Sequence, residues 1–269
     1  MQGICDFVRD IKLEENLQLK IDDGHSCWVV GDIHGYHKTF SKLIEKLELS
    51  TQDIVLCLGD LIDKGPDSFS VLEMVKESKQ IFSIRGNHEE MMRLSVSPSH
   101  GKMMKSWLKY GGLITLESFS NDKNVQIELA RKWIPFIEKM PTEIILDKFR
   151  LVHAGYDKEI PLESQKNQQR MWGRTIFDIK KPHDTKRQII VGHTPVQKLN
   201  KLGKDDIWVS ELSLTDGRPS VKCIDTGVFL ENHHHPRITA LNLTNGEVVY
   251  QKKLENYFFS SPILIPERN

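Results

Sequence analysis

The stretch Cys27-Trp28-Val29-Val30-Gly31-Asp32-Ile33-His34-Gly35 decides the fold of this chain. A short apolar run closed by glycine reads as a buried strand, and this one is followed at once by a carboxylate and an imidazole. Working outward, the segment from Lys38 to Leu49 places Phe40, Leu43, Ile44 and Leu47 at helical spacing, and Ile54 to Leu58 returns as a strand. The βαβ unit so formed repeats. Pro66 and Asp67 open a helix with Val71, Met74 and Val75 on one face, and Ile81 to Ile84 forms the next strand. Alternation of this kind implies a layered α/β architecture.

The ending of the first strand recurs in Val55-Leu56-Cys57-Leu58-Gly59-Asp60, Ile84-Arg85-Gly86-Asn87-His88-Glu89, Leu151-Val152-His153-Ala154-Gly155 and Ile190-Val191-Gly192-His193-Thr194. Each of the five places a ligand-type side chain just beyond the carboxyl end of a strand, the edge at which α/β sheets bind ligands. Carboxylate, amide oxygen and imidazole together suit divalent manganese, iron and zinc, and two ions roughly 3.5–4 Å apart need a ligand that bridges them. Asp60 is the candidate bridge. Asp32 and His34 would complete the first ion's protein shell, and Asn87, His153 and His193 the second's. The adjoining glycines let the backbone turn sharply and approach the ions.

With 269 residues and an ordinary apolar fraction, the chain is expected to form one domain, with a core over about 25–255 and a helical cap inserted at about 91–140. The 37 basic residues balance the 37 acidic ones, so no overall field argues for nucleic acid. No apolar stretch reaches the length of a membrane span, and the N-terminus has no leader-like apolar region. Cys27, Cys57 and Cys223 sit in apolar runs and none of the four cysteines forms a CxxC pair, which suits reduced thiols in a cytoplasmic protein. Between Met91 and Met140 the pattern becomes helical and rich in Met and Trp, broken at Ser97-Pro98-Ser99-His100 and Tyr110-Gly111-Gly112. Two β-rich runs surround Asp147-Lys148, and Arg237 to Leu243 pairs with Glu247 to Lys253 through Thr244-Asn245-Gly246, so the second half reads as mainly antiparallel on a mixed sheet.

The blocks Gly31-Asp32-Ile33-His34-Gly35, Gly59-Asp60-Leu61-Ile62-Asp63-Lys64-Gly65, Gly86-Asn87-His88-Glu89, His153 and Gly192-His193-Thr194 resemble, in order and spacing, the signature of the calcineurin-like metallophosphoesterases. The likeness is to their phosphoprotein phosphatase branch, which includes bacterial and phage serine/threonine phosphatases and is related to the symmetrical diadenosine tetraphosphatases. It runs from about Cys27 to Ile224-Asp225-Thr226-Gly227. The resemblance implies a four-layer αββα sandwich with mixed sheets and a helical cap. It also implies two divalent metal ions, manganese first, with iron, zinc or nickel as alternatives.

In chemical terms, two cations bridging a water lower its pKa toward neutrality, and the resulting metal-bridging hydroxide attacks phosphorus in line without a phosphoenzyme. The resemblance places His88 beside the leaving group as general acid, with Asp63 orienting it. It assigns the substrate phosphate to Asn87, which would double as a ligand, to Arg174 in Met171-Trp172-Gly173-Arg174, and to Lys64. Lys64 is also the departure, because phosphoprotein phosphatases carry arginine there. Lysine keeps the charge but loses the fork, and tetraphosphatase-like relatives include lysine-bearing motifs. The expectation is therefore a phosphomonoesterase acting as a bacterial-type serine/threonine protein phosphatase on a phosphorylated protein or small phosphate ester. The alternative is a symmetrical bis(5'-nucleosyl)-tetraphosphatase-like hydrolase of nucleoside polyphosphates. A silent module that only binds phosphorylated partners would not need His88.

Two other features invite a functional reading. His233-His234-His235 cannot all face one ion from a strand and reads as a surface loop with one member near the site mouth. Met91, Met92, Met103, Met104 and Trp107 read as the apolar face of the cap, a surface able to adapt to varied ligands.

Overall fold

The computed structural model describes residues 9–97, 103–199 and 207–257. Helix α1 (Ile11–Asp22) precedes strand β1 (Cys27–Val30); α2 (His37–Lys46), β2 (Ile54–Cys57), α3 (Ser68–Glu77) and β3 (Ile81–Ser83) then complete two βαβ units. Asp67 caps α3 by accepting from the Ser70 amide at 3.0 Å. The helical stretch that follows consists of α4 (Asn87–Val96), α5 (Met104–Trp107), α6 (Leu113–Phe119) and α7 (Lys123–Lys139). Of its expected breaks, the first lies from Pro98 onward outside the described residues. The second is a kink between α5 and α6 in which Gly111 takes φ +116°, open to glycine and strained for any other residue.

Strands β4 (Glu143–Ile145), β5 (Phe149–Val152), β6 (Gln188–Val191), β7 (Trp208–Val209), β8 (Val221–Cys223), β9 (Arg237–Asn242) and β10 (Val248–Lys252) complete two five-stranded sheets, with a short helix α8 (Asn167–Trp172) between β5 and β6. The first sheet runs β10-β9-β1-β2-β3 and the second β4-β5-β6-β8-β7. In the first, β1, β2 and β3 are parallel, and the β9–β10 hairpin joins antiparallel to β1. The second half is mainly antiparallel on mixed sheets, as expected, in that β4–β5, β7–β8 and β9–β10 are antiparallel pairs, but the second sheet has a parallel centre. Its central strands β5, β6 and β8 are parallel, and only the flanking β4 and β7 run against them. The reason lies in the connections: β5 reaches β6 through a segment containing α8, a crossover, where only β4 and β5 are joined tightly enough for a hairpin.

Alternation along the strands fixes the layers. Cys27, Val29, Leu56, Leu151, Ile190 and Leu241 face a core shared by both sheets, and Leu13 and Leu17 of α1 close it. Trp28, Val30, Val55 and Ala240 face the opposite way, against Phe40, Leu43, Val71 and Leu72 of α2 and α3, with the helical cap continuing this outer layer. On the far side, Val152, Ile189, Val191 and Cys223 pack under Tyr156, Ile176 and Val196. Among the described residues no helix is long and apolar enough to cross a membrane.

Two polar devices hold the layers. Helix α2 has no side-chain cap of its own, and Glu255 supplies one from the other end of the chain, accepting from the Lys38 amide at 2.6 Å and the Thr39 amide at 3.2 Å. Under β5, the buried Glu143 carboxylate accepts from Arg150, Tyr156 and Arg170, and Arg150 reaches on to Asp184 at 3.1 Å. A buried ion pair contributes little over an apolar pair, but removing one partner strands the other's charge. Glu143→Ala is therefore expected to cost about 3–5 kcal/mol, read as a lowered urea midpoint with unchanged slope; a shift no larger than that of a surface substitution would contradict this account.

Candidate binuclear metal centre

All six ligand-type residues lie beyond the carboxyl ends of strands: Asp32 and His34 after β1, Asp60 after β2, Asn87 after β3, His153 after β5 and His193 after β6. Bringing them to one point bends the backbone into unusual conformations. Seven non-glycine residues among those described have positive φ, and five of them are His34, Asp60, Asp63, Lys64 and His193, at +51°, +50°, +72°, +67° and +65°. Conformations of this kind cost on the order of 1–3 kcal/mol each and persist where the surroundings enforce them, commonly at functional sites. The glycines serve close approach. A Cβ on Gly192 would stand 2.3 Å from Asp32 Oδ1, and one on Gly86 2.3 Å from Asp60 Oδ1.

The donors form two sets that share Asp60. In the first, His34 Nε2 is 3.7 Å from both Asp32 Oδ2 and Asp60 Oδ2. In the second, Asn87 Oδ1 is 2.8 Å from His153 Nε2 and 2.8 Å from His193 Nδ1, and His153 Nε2 is 3.3 Å from Asp60 Oδ1. Ligand atoms held at about 2.1 Å from one ion, at angles between 90° and 120°, lie roughly 3.0–3.6 Å apart; the observed spacings of 2.8–3.7 Å bracket that range. The ring orientations fit as well. His34 Nδ1 lies 3.0 Å from the Ile62 carbonyl and His153 Nδ1 2.7 Å from the Leu58 carbonyl. A carbonyl only accepts, so each Nδ1 carries a proton and each Nε2 is the atom turned to the site, the orientation ligation requires. His193 Nε2 and Asp225 Oδ2 are buried without a hydrogen-bond partner among the described residues. This donor set fits a pair of divalent cations.

The local electrostatics call for such cations. Burial, reinforced by the charges of Asp225 and Asp60, pushes the Asp32 carboxyl well above its ordinary range. Burial opposes ionisation of Asp60 too, but His153, His88 and His34 overcome it and hold that carboxyl well below its usual value. Burial lowers His34 and His193 and favours the neutral imidazole that metals bind. His153 is raised to about 9, the Asp60 carboxylate outweighing burial.

His88 adjoins the first set, forming with His34 and Asp60 one group of mutually close donors, as Asp60, His153 and His193 form another. Its Nδ1 donates to Asp63 Oδ2 at 2.6 Å, which leaves Nε2 toward the site, 3.8 Å from Asp60 Oδ2. The site opens into a cleft of about 1010 Å³, whose lining includes the polar Lys64, His88, Arg174 and His193 and the apolar Met91, Met103 and Phe229 with Tyr110. Arg174 is exposed there, with no hydrogen-bond or ion-pair partner among the described residues. Lys64 turns inward instead: its Nζ donates to His34 Nε2 at 2.9 Å and lies 3.8 Å from the centroid of the Phe229 ring. His234 lines the same cleft and His235 is exposed, in keeping with a surface loop at the mouth.

Two residues with evident work here had no assigned role in the sequence. Glu89 is fully buried, and its carboxylate accepts from the amides of Asp60, Leu61, Ile62 and Gly86 at 2.7–3.3 Å, binding two of the ligand loops together. A glutamate three residues into a helix, where it can reach back to the N-cap amide, was the available signal; its longer reach to the Asp60 loop was not. Asp225 follows β8 as the other carboxylates follow their strands, so the strand-end rule would have found it. Arg85, just before α4, is buried against Glu90 and the carbonyls of Glu138 and Met140.

Known proteins resemble this chain in sequence and fold. The family model described as calcineurin-like phosphoesterase matches residues 25–234. Serine/threonine-protein phosphatase 2 of Escherichia coli (strain K12) is 31% identical over 132 residues, 48% of this chain and 58% of that protein. A symmetrical bis(5'-nucleosyl)-tetraphosphatase of Wigglesworthia glossinidia brevipalpis is 38% identical over 66 residues, 24% of each chain. These matches thus span little more than half of the first relative and about a quarter of the second. The solved structure of a serine/threonine phosphatase from Saccharomyces cerevisiae shares the fold, with a TM-score of 0.54 at 13% identity over 90% of both chains. With the family model covering most of its length and the family's fold around a paired donor set, this chain belongs to the calcineurin-like phosphoesterases.

Proposed function

We propose that the protein is a binuclear, manganese-dependent phosphomonoesterase of the cytoplasm, acting as a bacterial-type serine/threonine protein phosphatase. The observation that carries this reading is the His88–Asp63 pair beside two donor sets that share Asp60, at the floor of a cleft. Asp32, His34 and Asp60 would hold one cation, and Asp60, Asn87, His153 and His193 the other. When bound, such cations acidify water and withdraw charge from phosphoryl oxygens.

The remaining work falls to the chain's own groups. Arg174, on the cleft wall with its donors unused, suits a phosphoryl group that a guanidinium can grip at two oxygens. Asn87 holds its amide at the floor, where a phosphate would meet the ligands. Lys64 contributes a point charge at the Nε2 face of His34 rather than a fork. The departing alkoxide needs a proton, and His88 Nε2 is placed to give it, while Asp63 stabilises the imidazolium until that transfer. Buried free cysteines at 27, 57 and 223 support a reducing compartment.

A second reading, hydrolysis of a nucleoside polyphosphate, is favoured by Lys64 in place of arginine and by the matching segment of the tetraphosphatase relative. The two part on kcat/KM: phosphoserine or phosphothreonine peptides should exceed diadenosine tetraphosphate, and the reverse order would establish the second reading. Manganese should switch on release of p-nitrophenol from p-nitrophenyl phosphate, and Asp60→Asn should lower kcat at least ~100-fold; an inactive wild type under every divalent metal, or an active Asp60→Asn, would overturn the assignment. His88→Asn should slow phenyl phosphate by ~100-fold or more yet spare p-nitrophenyl phosphate, whose leaving group needs little protonation. Equal losses on both esters would remove His88 from proton delivery.

A further inference from the structure

The Asp63 carboxylate is fully buried and holds more than His88. Trp107, the last residue of α5, donates its indole N–H to Asp63 Oδ1 and Oδ2 at 3.1 and 3.0 Å. Thr115, in α6, donates its hydroxyl to Asp63 Oδ1 at 2.5 Å and accepts from the Asp63 amide at 3.0 Å, with Ser68 joined to the same network. Both donors come from the helical cap, and both are fully buried. Packing enforces the geometry: a Cβ on Gly112 would stand 2.5 Å from the Trp107 indole, and one on Gly111 2.6 Å from the Lys64 amide. The kink between α5 and α6 thus seats the cap directly on the Asp63-Lys64 turn.

A carboxylate with two oxygens free to rotate can orient an imidazole in many ways. With the indole spread across both oxygens and the threonine hydroxyl on Oδ1, the plane of Asp63 is fixed and its Oδ2 lone pair points at His88 Nδ1. We infer that Trp107 and Thr115 are positioning residues for the proton-delivering pair, so that the cap is part of the apparatus that protonates the leaving group. This inference rests on the phosphatase reading above. The same short segment presents Met103, Ser106 and Tyr110 to the cleft, so a substrate leaning on the cap presses on the helices that hold Asp63.

Thr115→Val removes one donor and keeps the volume, Trp107→Phe removes the other with a smaller ring, and Thr115→Ser keeps the hydroxyl. Loss of an outer partner of this kind typically costs 10–100-fold. The full chain with manganese should therefore show kcat on phenyl phosphate lowered by ~10–100-fold in Trp107→Phe and Thr115→Val, with KM and p-nitrophenyl phosphate turnover within about twofold of wild type and recovery in Thr115→Ser. In 15N-labelled protein loaded with zinc, the downfield His88 Nδ1–H resonance should shift in the first two variants and return in the third. Equal losses on both esters, unchanged phenyl phosphate turnover, or a threonine variant that serine fails to rescue would overturn the inference. A wild type inactive on both esters would instead sink the phosphatase reading, and the resonance comparison would still decide whether the cap sets the geometry of Asp63 and His88.

Discussion

Three carboxylates, Asp32, Asp60 and Asp225, are buried within reach of one another's charge, and the rest of the structure answers to that constraint. Such a group is unstable without compensating positive charge. Lys64 and His153 supply part of it, and the two donor sets have the spacing to supply the remainder by ligation. The neutral tautomer of His34, fixed by the carbonyl of Ile62, avoids adding a proton where a lone pair is needed. The local backbone follows suit. Left-handed residues at the ligand positions and Glu89 binding four amides are the means by which loops from separate strands are kept within a few ångströms of each other.

Much of this was legible from residue order because it is local. Gly31-Asp32 and Gly59-Asp60 announce a strand end and its donor in adjacent letters, Asp67 announces a helix start, and Asn245-Gly246 announces the hairpin that became β9 and β10. The six ligand-type residues share one edge of the fold because parallel strands put all their carboxyl ends on the same side. What stayed hidden depends on partners far apart in the chain. Glu255 capping α2, Glu143 joining Arg150 to Arg170, and the indole of Trp107 on Asp63 each link distant segments through a side chain whose local context looks ordinary. Trp107 shows the difficulty best: its ring belongs to the apolar face of the cap, as its spacing suggests, while its single N–H does something else.

The two outer faces of the sandwich serve unequal ends. Against the first sheet, α2, α3 and the cap form a thick layer of side chains, and this layer contributes Thr115, Trp107 and the apolar wall of the cleft. Against the second, a thinner cover of short turns carries Arg174 at its rim, held from below by the buried Glu143 cluster. One side therefore positions the His88–Asp63 pair and the other an exposed guanidinium, with the loops of the donor sets between them.

The place of β1 has a kinetic consequence. It is paired on one side with β2 and on the other with β9, over two hundred residues away in sequence. Non-local pairing slows folding, because chain entropy is lost before the contacts reward it. During synthesis, Asp32 and His34 must then wait on an open strand edge until residues near 242 emerge. Such an edge is prone to pair with other chains, so this chain would draw on chaperones most heavily before its final hairpin is made.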